Sequence, residues 1–234
     1  TGPVQFAGIV YKVVPEEGTA VSALRSGDLD LSEAVREDLA SFRKDGGFGV
    51  LEWKNATNWS FVEFNNKKPA FDDVRVRRAV GYALDLNQVV QTSWSDLAQP
   101  LSSIMPAGVP GYSADIGKKA GFTYDVNKAK QLLDEAGWKA GSDGVRVKDG
   151  KRLDVIFFTY NNSSAVRASQ NIQYQLEQVG FKVKLVTMET GAMIAALPKG
   201  EHNLNFMRWT WPDPNILTRM FKTPGWSKQY GNPK

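Results

Sequence analysis

Hydrophobic positions along the chain follow two spacings, and the switches between them mark the elements. Alternation at Ile9-Val10-Tyr11-Lys12-Val13-Val14 predicts a strand stopped by Pro15. Thr19 is placed to cap a short helix with Val21 and Leu24 inward and Gly27 at its end. Leu29-Asp30-Leu31 predicts a brief strand, and a helix follows from about Glu33 to Arg43. Gly46-Gly47 is a turn, and Val50 to Trp53 is expected to resume the sheet. Ser60 to Asn65 predicts a strand in which Phe61, Val62 and Phe64 supply β-favouring bulk.

Beyond Pro69 the spacing turns helical. Val76, Val80, Ala83 and Leu84 share one face, with Arg75, Arg77 and Arg78 mainly off it. The Pro- and Gly-rich stretch from Gln99 to Gly117 predicts a long surface loop. Asp125 caps the next helix, whose face is Ala129, Leu132, Leu133 and Ala136 and which Gly137 closes. Asp149-Gly150 predicts a hairpin between Val145–Val147 and Leu153–Tyr160. Ser163 or Ser164 is expected to cap a helix with Ile172, Leu176 and Val179 inward, ended by Gly180. Phe181–Thr187 and Leu204–Trp209 read as strands around a short helix at Gly191–Leu197. Asp213-Pro214 opens a last helix through Phe221. Strands alternate with helices, so the class is α/β, or mixed α+β.

Composition changes this picture little. In 234 residues, 42% apolar and 23% charged, the chain is an ordinary globular one with no apolar run able to cross a bilayer. Its 29 basic and 25 acidic residues are interspersed, giving a net charge of +4 without a basic block, so a nucleic-acid partner is not expected. The absence of cysteine excludes disulfides and thiolate chemistry. Thr1-Gly2-Pro3 lacks the basic start and apolar run of a signal peptide, so the chain is expected to be cytosolic, already processed or cut from something larger.

Catalytic constellations are missing too. His202 is the only histidine and sits in a polar stretch, Gly200-Glu201-His202-Asn203, that reads as an exposed loop. Neither a phosphate-binding Gly-x-x-x-x-Gly-Lys-Ser/Thr run nor Gly-x-Ser-x-Gly is present. The pairs Asp28/Asp30, Asp72/Asp73 and Asp134/Glu135 suit turns, caps and solvated helix faces. No enzyme activity, cofactor or metal is expected.

Three segments carry a resemblance. Phe64-Asn65-Asn66-Lys67-Lys68-Pro69-Ala70-Phe71-Asp72-Asp73-Val74-Arg75-Val76-Arg77-Arg78-Ala79-Val80, continuing through Tyr82-Ala83-Leu84-Asp85, is the most specific. Ala23 to Leu31 precedes it, and Tyr124 to Trp138 follows. In family order and over nearly the whole chain they resemble the solute-binding proteins of the oligopeptide, dipeptide and nickel class that feed ABC importers. The resemblance implies one lobe of a two-lobed, periplasmic-binding-protein-like fold. Residues 1–234 would be the second lobe, with the first lobe missing at both ends. It implies capture of a peptide or other small polar solute between lobes, a membrane permease as partner, and a periplasmic or extracellular location. Lipid anchoring through a missing N-terminal segment stays open. A ligand-sensing regulatory module of the same fold is the alternative.

Ligand contacts are expected in loops after strands. The resemblance places one at Asn161, while capping by Asn162 or Ser163 is the competing use of that loop. A second lies in Met207-Arg208-Trp209-Thr210-Trp211-Pro212-Asp213-Pro214, which is similar to a family loop whose first Asp holds a peptide's ammonium group. Here Thr210 stands at that Asp position and Trp211 at the neighbouring aromatic, so Arg208, Trp209, Thr210 and Trp211 are the candidates. A neutral hydroxyl is a weaker partner for a desolvated ammonium, whereas tryptophan faces suit sugars, aromatic solutes or cations, or simply core packing. Trp59 is a further candidate.

Overall fold

The computed structural model describes residues 5–14, 16–33, 36–52 and 57–221. They fall into two compact units, 1–52 and 53–234. The predicted strand end at Pro15, the strand through Trp53 and both chain termini lie outside the described residues.

The first unit holds α1 (Glu17–Ser26) and α2 (Arg36–Lys44). Glu16, not Thr19, caps α1, accepting from the backbone N–H of Gly18 and Thr19, and Gly27 closes it at φ 84°. The Arg25 guanidinium lies 4.4 Å from the Phe42 ring centroid, and Phe42 meets Phe48 edge-on. The strands expected at Ile9–Val14 and Leu29–Leu31 do not form, nor does the described part, residues 50–52, of the strand expected from Val50 to Trp53. Val10, Tyr11 and Leu31 are almost fully exposed, so their alternation finds no ladder to join.

The second unit is built on a four-stranded sheet in the order β1-β7-β5-β6. These strands are β1 (Asn58–Phe64), β5 (Asp154–Tyr160), β6 (Lys182–Met188) and β7 (Leu204–Thr210). β5 runs parallel to β6 and β7, and β1 antiparallel to β7. A smaller antiparallel sheet joins β2 (Lys139–Ala140), β3 (Arg146–Lys148) and β4 (Lys151–Arg152). Asp149 and Gly150 take φ 50° and 74°, as a tight two-residue hairpin requires, but the partner of β3 is β4. After Leu153 the chain passes into the main sheet, so Leu153–Tyr160 is not the hairpin arm that the sequence predicts.

Helices cover the sheet as the apolar spacing demands. α3 (Val74–Ala83), α6 (Val126–Glu135) and α7 (Ser163–Glu177) bury Val76, Val80, Leu133, Ile172 and Leu176. Those side chains pack with Val155, Phe157, Leu204 and Phe206 of the strands. Asp73 and Asp125 cap α3 and α6 through the N–H groups of Arg75 and Lys128. α4 (Leu86–Trp94), capped by Asp85, was not expected from the sequence; only Val89 and Ser93 of its length are fully buried. The loop from Gln99 is broken by the short α5 (Ala114–Ala120). On the other face α8 (Thr190–Ala196) sets Met193 against Phe158 and Met207. α9 (Ile216–Phe221) begins two residues past Pro214. Among the described residues no helix is long and apolar enough to cross a membrane.

Candidate functional site

The parallel pairing of β5 and β7 decides where the candidates meet. Phe157 pairs with Leu204 and Phe158 with Asn205. Past these pairs both strands run on toward the same end of the sheet, β5 to Tyr160 with Asn161 next in the chain and β7 to Thr210. β1 starts at this edge because it runs the other way, with Asn58 opposite Thr210 and Trp59 opposite Trp209. One sheet edge, at the carboxyl ends of the parallel strands, therefore gathers all six residues.

Their exposures differ. Asn161, Arg208 and Thr210 are exposed, and Trp209 and Trp211 are half-buried. Trp59 is only 4% exposed and packs with Ile216 and Met220, with Phe61, Trp209 and Trp211 against the same cluster. Phe61 meets Trp209 edge-on at 5.9 Å between centroids. The indole Nε1 of Trp59 has no hydrogen-bond partner among the described residues. Trp59 thus anchors the aromatic cluster from below, and Trp209 and Trp211 carry it to the surface.

The capping ambiguity in the first loop is settled by geometry. Asn162, rather than Ser163 or Ser164, caps α7, its Oδ1 accepting from the Ala165 N–H at 3.1 Å. Asn161 donates its backbone N–H to Met188 O at 2.7 Å, which fixes the loop and leaves its side chain exposed. Arg167, in the second turn of α7, reaches Ser163 and Ser164 Oγ through Nη2. In the second loop Trp211 donates its backbone N–H to Thr57 O at 3.1 Å.

Charged groups of both signs stand near this edge, the acids held by their own turns. Burial pushes the Tyr160 hydroxyl up, and the positive Arg208 nearby partly offsets that rise. The acidic groups that follow the strands are engaged locally. Glu189 caps α8, and the N–H groups of Gly191 and Ala192 hold its carboxyl below the usual range. Asp213 Oδ1 accepts from the Asn215 N–H at 2.8 Å. Tyr160 and Arg167 were not singled out from the sequence. Arg167 stands four residues after Ser163, a helical spacing that could have placed it beside the loop.

His202 corrects an expectation: it is fully buried rather than an exposed loop residue. It lies just before β7, at the end away from the tryptophans, with its ring 5.2 Å from that of Phe158. Burial, with the positive Lys68 adding to it, lowers its pKa to about 4. A depression of about 380 Å³ lies at that same far end, lined by Lys68, Asp154, Lys182, Lys184 and Glu201 among others. Among the described residues no group of three or more His, Cys, Asp or Glu could hold a metal ion.

This fold and edge have known counterparts. The family described as bacterial extracellular solute-binding proteins, family 5 middle, matches residues 1–229. The oligopeptide-binding protein AppA of Bacillus subtilis is 30% identical over 220 residues, covering 88% of this chain and 39% of its own. Its structure in complex with a nonapeptide superposes with a TM-score of 0.79 at 27% identity, covering 86% of this chain and 40% of that one. The dipeptide-binding protein of Escherichia coli is 26% identical, covering 88% of this chain and 37% of its own. NikA of Brucella suis, in complex with Fe(III)-EDTA, gives a TM-score of 0.76 at 26% identity, covering 94% of this chain and 45% of that one. The chain spans about two-fifths of the length of the curated relatives it matches. The match over 229 residues, on a fold shared with two ligand-bound solute-binding proteins, means that the chain belongs to the bacterial extracellular solute-binding proteins of family 5.

Proposed function

We propose that this chain forms one wall of the ligand cleft in the solute-binding component of an ABC import system, and that it catalyses no reaction. The observation that carries the reading is the gathering of Asn161, Arg208, Trp209, Thr210 and Trp211 at one end of the sheet, with Trp59 buried beneath Trp209 and Trp211. Such an edge supplies aromatic surface and a few exposed polar groups, the usual composition of a small-molecule site. In this reading residues 1–234 act as a single lobe, and a first lobe of the whole protein closes over the edge. Closure around the solute then marks the loaded state for a membrane permease. The protein works outside the cytoplasm, in the periplasm or at the cell surface, with a lipid anchor where an N-terminal segment provides one.

The relatives named above are seen with a nonapeptide and with Fe(III)-EDTA, so the solute class spans peptides and other polar compounds. Titration of the whole protein with peptide and oligosaccharide panels, followed by tryptophan fluorescence and thermal shift, tests the reading. One solute should bind saturably, and Trp211→Ala or Asn161→Ala should weaken it about 30-fold while leaving the fold intact. Saturable binding that both variants leave unchanged would move the site elsewhere.

A further inference from the structure

The charges at the candidate edge say which end of a solute it holds. Arg208 is the one charged residue among the six candidates. It follows four buried residues of β7 and is the first exposed side chain toward the strand's end. Its ladder partner is Ser60, a neutral residue, and no ion pair to Arg208 is found among the described residues. The acids closest in sequence to the strand ends, Glu189 and Asp213, accept backbone N–H groups of their own turns. Tyr160, half-buried, lies within the field of the guanidinium, and Asn161 follows it directly past the end of β5. Thr210, two residues on, is exposed and neutral and adds a hydroxyl rather than a charge.

Resting on the proposed solute-binding role of this edge, we propose that Arg208 is the specificity-determining residue and that it takes a carboxylate of the solute. The guanidinium offers a planar pair of N–H donors that matches a carboxylate in a two-point arrangement. Asn161 and the Tyr160 hydroxyl supply further donors beside it. Trp209 and Trp211 accept the apolar or ring-bearing part of the same molecule. The substrate class is thus a small carboxylate compound with an apolar portion, such as an N-blocked peptide, and not one recognised through a free ammonium group.

The test uses the whole protein and two tripeptides of the same sequence, Ala-Phe-Ala. One is N-acetylated with a free carboxylate, and the other has a free ammonium group and a C-terminal amide. Calorimetric titration should show binding of the first and little of the second. Arg208→Gln should weaken the first about 30-fold, and Arg208→Lys should recover part of the loss. Affinity for the carboxylate peptide should also fall as salt is raised, which a purely structural arginine would not produce. Preferential binding of the ammonium peptide, or equal binding unaffected by Arg208→Gln, overturns the carboxylate assignment and leaves solute binding standing. Binding of neither peptide, with a neutral oligosaccharide bound instead, does the same. Failure of every peptide and sugar overturns both readings.

Discussion

Arg146→Ala is expected to destabilise the 53–234 unit by about 2–4 kcal/mol, the cost of leaving buried carbonyls without their donors. Arg146 is 5% exposed, and its guanidinium ties three elements together. Nε donates to Val179 O at 2.8 Å at the end of α7. Nη1 donates to Trp138 O at 2.6 Å and to Asp134 Oδ1 at 2.9 Å at the end of α6. Nη2 reaches Lys130 O at 3.4 Å. Alanine would leave buried carbonyls without donors, and most of the loss comes from those, because Asp134 is half-exposed and its ion pair is screened. Gly180 belongs to the same arrangement. At φ 99° it favours glycine, and a Cβ there would fall 2.6 Å from Arg146 Cγ. Urea denaturation followed by circular dichroism measures the effect, and a loss under about 1 kcal/mol would contradict it.

The second large effect is a loss of stability in acid that comes from a single side chain. His202 has a pKa of about 4 when folded, against 6.5 for the free side chain. Between those values the unfolded chain binds a proton that the folded one refuses, so stability rises with pH across this window. The contribution is fully present above about pH 6.5 and disappears as pH falls through 6.5 towards 4. Its size, for a fully buried ring, is up to roughly 3 kcal/mol. An NMR titration of the imidazole, assigned by its absence in His202→Gln, should show no protonation down to about pH 5. A midpoint near 6.5 would contradict the account.

Much of the second unit was legible because its elements are amphipathic and locally punctuated. Val76, Val80 and Ala83 on α3, and Ala129, Leu132 and Leu133 on α6, state their buried faces through spacing alone. Asp125 and Gly137 mark where α6 starts and where its chain turns. α4 was missed since its one buried apolar side chain, Val89, makes a weak stripe. Ile9–Val14 misled for the opposite reason: alternation says which side chains share a face, not that a neighbouring strand exists to pair with. His202 misled because the polarity of Glu201 and Asn203 suggested exposure, whereas the turn into β7 carries the ring inward against Phe158.

The candidate site was legible as residues but not as a place. Asn161 and Trp209–Trp211 were separately suspected, one at the end of each of two distant strands. What joins them is the non-local register of β5 on β7, which no spacing along the chain encodes. The choice among Asn162, Ser163 and Ser164 as the cap of α7 also needed the structure, which gives it to Asn162. The burial of Trp59 separates a supporting tryptophan from two surface ones, a distinction that composition cannot make.

The central claim is that the carboxyl edge of the parallel strands holds the solute. Hydrogen exchange of the whole protein, with and without a bound solute, tests it most directly. The account predicts slowed exchange in residues 160–164 and 208–212, with the segments around Lys182, Lys184 and Glu201 at the far edge unchanged. Protection confined to that far edge, where the depression of about 380 Å³ lies, would contradict it.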